Sequence, residues 1–187
     1  ASQGRPFIIG DQGQGLLIIQ KGGGFVHVKA SDIDIGFGTD ASGKITVTDQ
    51  GSYFLTADGS ELHFGVGDDS KGYIKIVNDA YAYTGSPMLG FGEKGYGEAI
   101  VSGGGDWDIW DEAYVGYAGE GYLEISNGEV SLNHKGRTNS LFVGDKGTGN
   151  GTVKVTDGGV LDVGRDLNVG QAGTGTMMIQ SGGEVYS

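Results

Sequence analysis

The chain has 187 residues, of which 40 are glycine and 2 are proline, and it contains no cysteine. Its 24 acidic and 12 basic residues give a formal net charge of −12, which disfavours nucleic acid and anionic membranes, since both bind through Lys and Arg. The absence of cysteine excludes disulfides and thiolate chemistry. No apolar run approaches the length of a membrane span, so insertion of this segment into a membrane is not predicted.

The same composition predicts one ordered, all-β domain over residues 1–187. Glycine accumulates where a chain turns tightly and often, because it adopts positive φ without steric cost. Disorder is the alternative explanation for so much glycine. However, 9 Tyr, 7 Phe and regularly placed Val, Ile and Leu supply an apolar face to bury. Nothing in the sequence indicates a second domain.

A repeated unit begins with a short strand that a glycine closes. The closing glycines are predicted at Gly10, Gly38, Gly67, Gly92, Gly116, Gly144 and Gly170, which by subtraction are 24 to 29 residues apart. An inward-facing apolar pair precedes each of them: Phe7/Ile9, Ile35/Phe37, Phe64/Val66, Leu89/Phe91, Ala113/Val115, Leu141/Val143 and Leu167/Val169. Alternation with period two indicates a strand with one buried face.

Two more strands complete each unit. The second has the inward pairs Leu17/Ile19, Ile45/Val47, Ile74/Ile76, Ala99/Val101, Leu123/Ile125, Val153/Val155 and Met177/Ile179. The third follows a bend and has the predicted inward residues Val26/Val28, Tyr53/Leu55, Tyr81/Tyr83, Trp107/Ile109, Val130/Leu132, Leu161/Val163 and Val185. In the third unit, Asn78 and Asp79 stand where the other bends have glycine, and both residue types tolerate left-handed backbone.

Seven units of three strands predict a right-handed parallel β-helix. No single coil can bury its apolar pairs, whereas stacked coils align them in continuous ladders. A β-propeller is the alternative, but its blades need about 40–45 residues. Neither Ala1 nor Ser187 lies next to an evident cap, so we expect the chain to be a segment of a longer solenoid.

The glycine spacing also resembles that of a known family. The stretch Val143-Gly144-Asp145-x-Gly147-x-Gly149, followed by Val153-x-Val155-x-x-Gly158-Gly159-x-x-x-Val163, resembles the Gly-rich repeat of bacterial type V autotransporter passenger domains. Similar stretches begin at Ile9 and Val169. The resemblance implies a β-helix that is secreted through the outer membrane and acts in adhesion, self-association or host-cell contact. Some passengers carry enzymes and a few act as secreted effectors, and no binding residue of the family maps onto this chain.

One aromatic and acidic stretch departs from the repeat, residues 106–114. With Trp107 and Ile109 inward, the outward candidates for ligand or partner binding are Asp108, Trp110, Asp111, Glu112 and Tyr114. Exposed aromatic rings among carboxylates stack on sugars or anchor a protein partner. The alternative is that Trp110 covers a loop and that the acids are merely solvated.

A second candidate is the irregular loop 133–140, which gathers His134, Lys135 and Arg137 on an otherwise acidic molecule. Loops that leave a rigid scaffold often carry binding residues. Such a loop would suit an acidic glycan or the acidic face of a neighbouring rod. The alternative is an ordinary solvated excursion.

Catalytic and metal-binding patterns are weak. The histidines His27, His63 and His134 are interpreted as solvated, and Ser70 lacks the sequence context of a nucleophile. The aspartates Asp11, Asp68 and Asp145 follow closing glycines, but the regular calcium-binding nonapeptide is missing, so they are interpreted as turn residues. Arg5, Arg137 and Arg165 are the only arginines and lie at the start or in loops. No metal or cofactor is predicted.

We therefore expect a non-enzymatic segment, secreted or displayed on a bacterial surface, that acts in adhesion or contact with host cells. Its partner would be a host surface protein or glycan, or another copy of the chain. The first alternative is a secreted effector that binds and activates a host receptor. The second is a β-helix glycan lyase or depolymerase, which a row of outer-sheet carboxylates with Arg or Lys would favour.

Overall fold

The computed structural model describes residues 6–28, 31–133 and 139–187. Within these ranges the chain forms 21 strands and no helix. The strands pair in parallel into three sheets of seven, and each coil contributes one strand to each sheet. The predicted parallel β-helix with seven three-stranded coils is confirmed.

The strands differ in length between the sheets. The first sheet consists of Phe7–Ile9, Ile33–Ile35, Glu61–Phe64, Ser86–Leu89, Ala113–Val115, Leu141–Val143 and Leu167–Val169. The second consists of Gln14–Ile19, Ser42–Thr48, Lys71–Val77, Tyr96–Ser102, Glu120–Ser126, Asn150–Thr156 and Thr174–Ile179. The third consists of Gly24–His27, Tyr53–Thr56, Tyr81–Thr84, Asp106–Ile109, Glu129–Ser131, Val160–Asp162 and Glu184–Tyr186.

The inward side chains of the three sheets form one apolar column along the axis of the β-helix. In the second sheet the register aligns the predicted inward pairs of all seven coils. At the centre of the column these residues are fully buried: Ile45, Val47 and Ile76 are each 0% exposed. Burying such side chains stabilises the fold by about 1.5–3 kcal/mol each.

The glycine that closes the first strand has a positive φ in every coil, at Gly10, Gly36, Gly65, Gly90, Gly116, Gly144 and Gly170. The predicted closing glycines Gly38, Gly67 and Gly92 are therefore wrong by two residues. Coils two to four have a Gly-x-Gly corner whose middle residue is apolar, and this residue mimics the alternation of the strand. The inward pairs of these coils are Ile33/Ile35, Leu62/Phe64 and Pro87/Leu89. The middle residue Phe37 instead lies outside, 39% exposed.

The third sheet differs from prediction in the first three coils. Phe25, Phe54 and Ala82 align on the inward side with Trp107, so the predicted pairs Val26/Val28, Tyr53/Leu55 and Tyr81/Tyr83 are wrong by one residue. Phe54 is fully buried, whereas Val26 is 52% and Val28 79% exposed.

The packing of Trp107 explains this register. Its strand neighbour Ala82 is small enough to leave room for the indole, and the indole Nε1 donates a hydrogen bond of 2.9 Å to Thr84 Oγ1. The predicted inward pair Trp107/Ile109 is confirmed, with both residues 1% exposed. A further prediction is confirmed at the bend before this sheet, where Asn78 and Asp79 have φ values of 57° and 58°.

Candidate binding face on the third sheet

The outer surface of the third sheet, which we call face 3, combines tyrosines with carboxylates. Its outward residues in coils two to seven are Tyr53, Leu55, Tyr81, Tyr83, Asp106, Asp108, Glu129, Ser131, Val160, Asp162, Glu184 and Tyr186. The strands of the third sheet contain neither Lys nor Arg. Face 3 is therefore aromatic in coils two and three and negatively charged from coil four onwards.

A hydrogen bond between neighbouring coils holds Tyr81 in place. Its hydroxyl donates to Asp108 Oδ2 at 2.8 Å. Asp108 points outward as predicted, but the structure corrects its exposure, since it is only 8% exposed. Burial, the hydrogen bond and the charge of Asp108 raise the pKa of Tyr81 well above its usual range. Tyr81 is therefore a neutral donor at any physiological pH.

Tyr53 leans in the opposite direction. It pairs with Tyr81 across the sheet, yet a Cβ added to Gly24 in coil one would lie 2.1 Å from Tyr53 Cζ. The Tyr53 ring thus covers the backbone of coil one, while Tyr81 reaches to coil four. The two rings lean apart and leave a depression of about 280 Å³, lined by Gly51, Ser52, Tyr53, Leu55 and Tyr81.

Trp110 lies at the corner between the third and first sheets and extends face 3. Its half-buried indole packs against Tyr83 with ring centroids 5.7 Å apart and an interplanar angle of 58°. The Tyr83 hydroxyl in turn donates to Asp58 Oδ1 at 3.2 Å. Asn139 Nδ2 donates to the backbone oxygen of Trp110 at 2.7 Å, which fixes the corner.

The predicted residues Asp111 and Glu112 follow Trp110 at this corner and are half-buried. The predicted residues His134, Lys135 and Arg137 lie outside the described part of the chain. The described ends of their loop border face 3, because Asn133 Nδ2 donates to Asp162 Oδ2 at 3.3 Å and Asn139 contacts Trp110.

Tyr114 belongs to the outer surface of the first sheet, not to face 3. It stacks on Phe142 with centroids 5.1 Å apart and meets Tyr117 edge-on at 5.3 Å. Burial, together with the charges of Glu112 and Asp145, raises its pKa. The residues predicted from 106–114 are thus divided between two sheets that share one corner.

His63 is not solvated near a turn, as the sequence suggested, but lies within the first sheet and is 7% exposed. Its Nδ1 lies 2.9 Å from Asp34 Oδ1, its Nε2 lies 3.0 Å from Glu61 Oε2, and its ring stacks on Phe91 at 4.0 Å. Burial lowers the pKa of His63, but hydrogen bonds and charges of the two carboxylates outweigh it, so the net pKa is raised. Both nitrogens are engaged, so the ring offers no free atom for catalysis.

Ser70 is fully buried and its hydroxyl donates to the Gly67 carbonyl at 2.7 Å, which is a turn-stabilising role. Asp68 Oδ2 lies 3.1 Å from Lys94 Nζ, and Asp145 Oδ2 lies 3.1 Å from Lys146 Nζ. Across the described ranges, no group of three or more His, Cys, Asp or Glu side chains is placed to hold a metal ion.

Sequence reasoning missed Tyr53, Tyr81 and Tyr83 as surface residues because it placed them inside. The signal that identifies them is Ala82, since only a small inward residue leaves room beside Trp107. Comparison of the chain with protein-family models, curated proteins and solved structures gives no match. The arrangement of face 3 itself is therefore the basis for assigning a function.

No helix in the described part of the chain has the length and hydropathy to cross a membrane.

Proposed function

We propose that the chain is a segment of a secreted or surface-displayed bacterial rod, similar to an autotransporter passenger, that acts without catalysis in adhesion to host surfaces. The observation that carries the proposal is face 3. There, four aromatic side chains adjoin a row of carboxylates that has no cation in its strands. The aromatic residues are Tyr53, Tyr81, Tyr83 and Trp110.

The chemistry of face 3 favours a neutral glycan as the ligand. Aromatic rings provide flat apolar surfaces for the C–H face of a sugar, and their polar edges form hydrogen bonds. Carboxylates accept hydrogen bonds from sugar hydroxyls. An anionic glycan would be repelled, because face 3 presents negative charge with no Lys or Arg in its strands.

The depression between Tyr53 and Tyr81 is the best-defined position for one sugar ring. Tyr53 is 38% exposed, and its ring lies over the Gly24 backbone without a hydrogen bond to a described residue. Leu55 and Tyr81 supply the rest of an apolar lining. The Trp110–Tyr83 pair in coils three and four offers a second stacking surface one coil further along. A rigid rod would hold both surfaces at a fixed separation.

The experiment is binding of the labelled chain to cultured host cells, with Tyr53→Ala and Trp110→Ala beside the wild type. We expect saturable binding by the wild type and about a tenfold or greater loss in each variant, as for aromatic hot spots. Tyr117→Ala is the matched control, because Tyr117 is a half-buried tyrosine beside the outer surface of the first sheet, away from face 3. Its binding should equal that of the wild type.

Competition with neutral and anionic oligosaccharides separates the partner classes. Inhibition by neutral sugars supports the glycan-binding adhesin. Stoichiometric binding that only a protease treatment of the cells abolishes would indicate a receptor-binding effector instead. Release of shortened glycan products would contradict the non-enzymatic proposal, and equal binding by all variants would exclude face 3. Arg137→Ala tests the loop 133–140 in the same assay.

A further inference from the structure

The outer surface of the second sheet, which we call face 2, has its charges sorted by coil. Lys44 lies in coil two and Lys71 and Lys75 lie in coil three. Glu98 lies in coil four, Glu120 and Glu124 lie in coil five, and Lys154 of coil six forms an ion pair with Glu124. A chain with a net charge of −12 therefore carries a basic half and an acidic half on one continuous sheet.

The parallel register places these charges in three columns that run along the helix axis. Lys71 and Glu120 share the first column, since both align with Tyr96. Lys44 and Glu98 share the second, since both align with Tyr73. Lys75 lies in the third column. The two lysines of coil three therefore flank the column that contains Glu98.

Internal pairing leaves the basic half unused. Glu98 Oε2 accepts a hydrogen bond of 2.7 Å from Tyr96, and Glu124 lies 2.7 Å from Lys154. The side chains of Lys44, Lys71 and Lys75 form neither a hydrogen bond nor an ion pair with any described residue. Three lysine side chains without an internal partner on one half of face 2 favour binding of a negatively charged surface.

We propose that face 2 is the interface of an antiparallel dimer of this chain. The two rods are related by a two-fold axis that lies in the interface, parallel to the strands, between coils three and four. This operation keeps each residue in its column and reverses the order of the coils. Coil three then faces coil four of the second copy, and coil two faces its coil five.

The operation brings opposite charges together in coils two to five. Glu98 of each copy enters between Lys71 and Lys75 of the other, and Glu120 lies diagonally across from Lys44. Neighbouring columns are two residues apart, about 6.6 Å along the strand, so these diagonals are within reach of a Lys side chain. A two-fold interface uses each contact twice, so a self-complementary patch is what the symmetry requires.

Coil one and coil six meet at the ends of the same interface. Leu16 is 63% and Ile18 51% exposed, and the operation covers them with Thr152 and the aliphatic stem of Lys154. Six strands of about six residues bury roughly 600 Å² per rod, or about 1,200 Å² in total. This is the lower limit for a specific interface, so we expect a micromolar dimer.

A second copy fits face 2 better than an anionic polysaccharide does. A polysaccharide would neutralise the basic half but would be repelled by Glu98 and Glu120 along its path. A second copy satisfies both halves at once. Binding of a polysaccharide by a chain that stays monomeric is therefore an outcome that overturns the proposal.

The test is sedimentation equilibrium of the full chain from about 1 µM to about 1 mM, a range that brackets the expected Kd. The wild type should dimerise. The dimer should dissociate between about 0.1 M and 1 M salt, because the Debye length falls from about 10 Å to 3 Å. Lys71→Glu/Lys75→Glu should weaken the dimer at least about 100-fold, and Glu98→Lys should do the same, since each brings like charges together.

Mixing or combining the charge-reversed variants distinguishes a lost interface from a lost fold, because only folded chains can regain the dimer. An equimolar mixture of the two variants should form a heterodimer, because reversed charges meet their complements at both symmetry-related contacts. The triple variant that combines all three substitutions should regain the homodimer. A monomeric wild type would overturn the proposal, and so would variants that dimerise as the wild type does or a mixture that stays monomeric.

Discussion

The second and third sheets have the same topology, yet they differ in how well their sequences specify register. In the second sheet, strands of six or seven residues point alternate side chains inward, and Gly121 and its equivalents precede the inward pairs. In the third sheet, strands of three or four residues contain apolar side chains on both faces, as in Tyr53–Thr56. A glycine at the same position of every strand marks the register of the second sheet, even where the outward residues Leu16 and Ile18 are apolar, and the third sheet lacks this marker.

The outer faces differ in charge as well. Face 2 carries cations and anions sorted by coil, whereas the strands of face 3 carry aromatic rings and carboxylates without cations. The inward residues of the two sheets serve one common core. The features that distinguish one face from another therefore lie outside the core, at outward positions whose residue type the repeat does not constrain.

The largest expected effect on stability distinguishes the two tryptophans of the chain, one in the core and one on the surface. Trp107 is 1% exposed beneath face 3, whereas Trp110 is half-buried on its edge. Trp107→Ala should cost about 3–5 kcal/mol in free energy of unfolding, measured by chemical denaturation. Trp110→Ala should cost less than about 1 kcal/mol. Equal losses would mean that the inside and outside of coil four have been misassigned.

A glycine in the second sheet gives the next largest effect. A Cβ on Gly121 would lie 2.0 Å from the backbone nitrogen of Gly116, so Gly121→Ala forces the backbone of the corner to shift. We expect a loss of about 1–3 kcal/mol in free energy of unfolding. Gly147→Ala is the control, since a Cβ there meets no atom within 4 Å, and it should change stability by less than about 0.5 kcal/mol.

The smallest effect concerns His63 on the first sheet. Its folded-state pKa is raised above 6.5, so the native state binds this proton more tightly than the unfolded state does. The contribution to stability is fully present below about pH 6.5 and is lost as pH rises through the folded pKa. His63→Asn should flatten the stability profile in this window. A wild-type stability that rises with pH here would contradict the assignment.

The sequence predicted most of the core but little of the surface. Glycine corners and alternating pairs determine the fold and the second sheet, because both follow from backbone sterics and burial within one coil. The inward position of Ala82 could not be predicted in the same way, since it depends on Trp107 in the next coil. The same holds for His63, whose partner Asp34 comes from the preceding coil. Contacts between residues of neighbouring coils can be predicted only when the register between those coils is known.

The most direct test of face 3 as a binding surface uses Trp110 as the reporter. In Trp107→Phe, Trp110 is the sole tryptophan of the chain. We would titrate this variant with neutral oligosaccharides released from the host cells and record Trp110 fluorescence. A saturable change in emission, absent with anionic oligosaccharides and weakened at least tenfold by Tyr53→Ala, is the predicted result. Unchanged emission at concentrations that inhibit cell binding would contradict the assignment of face 3.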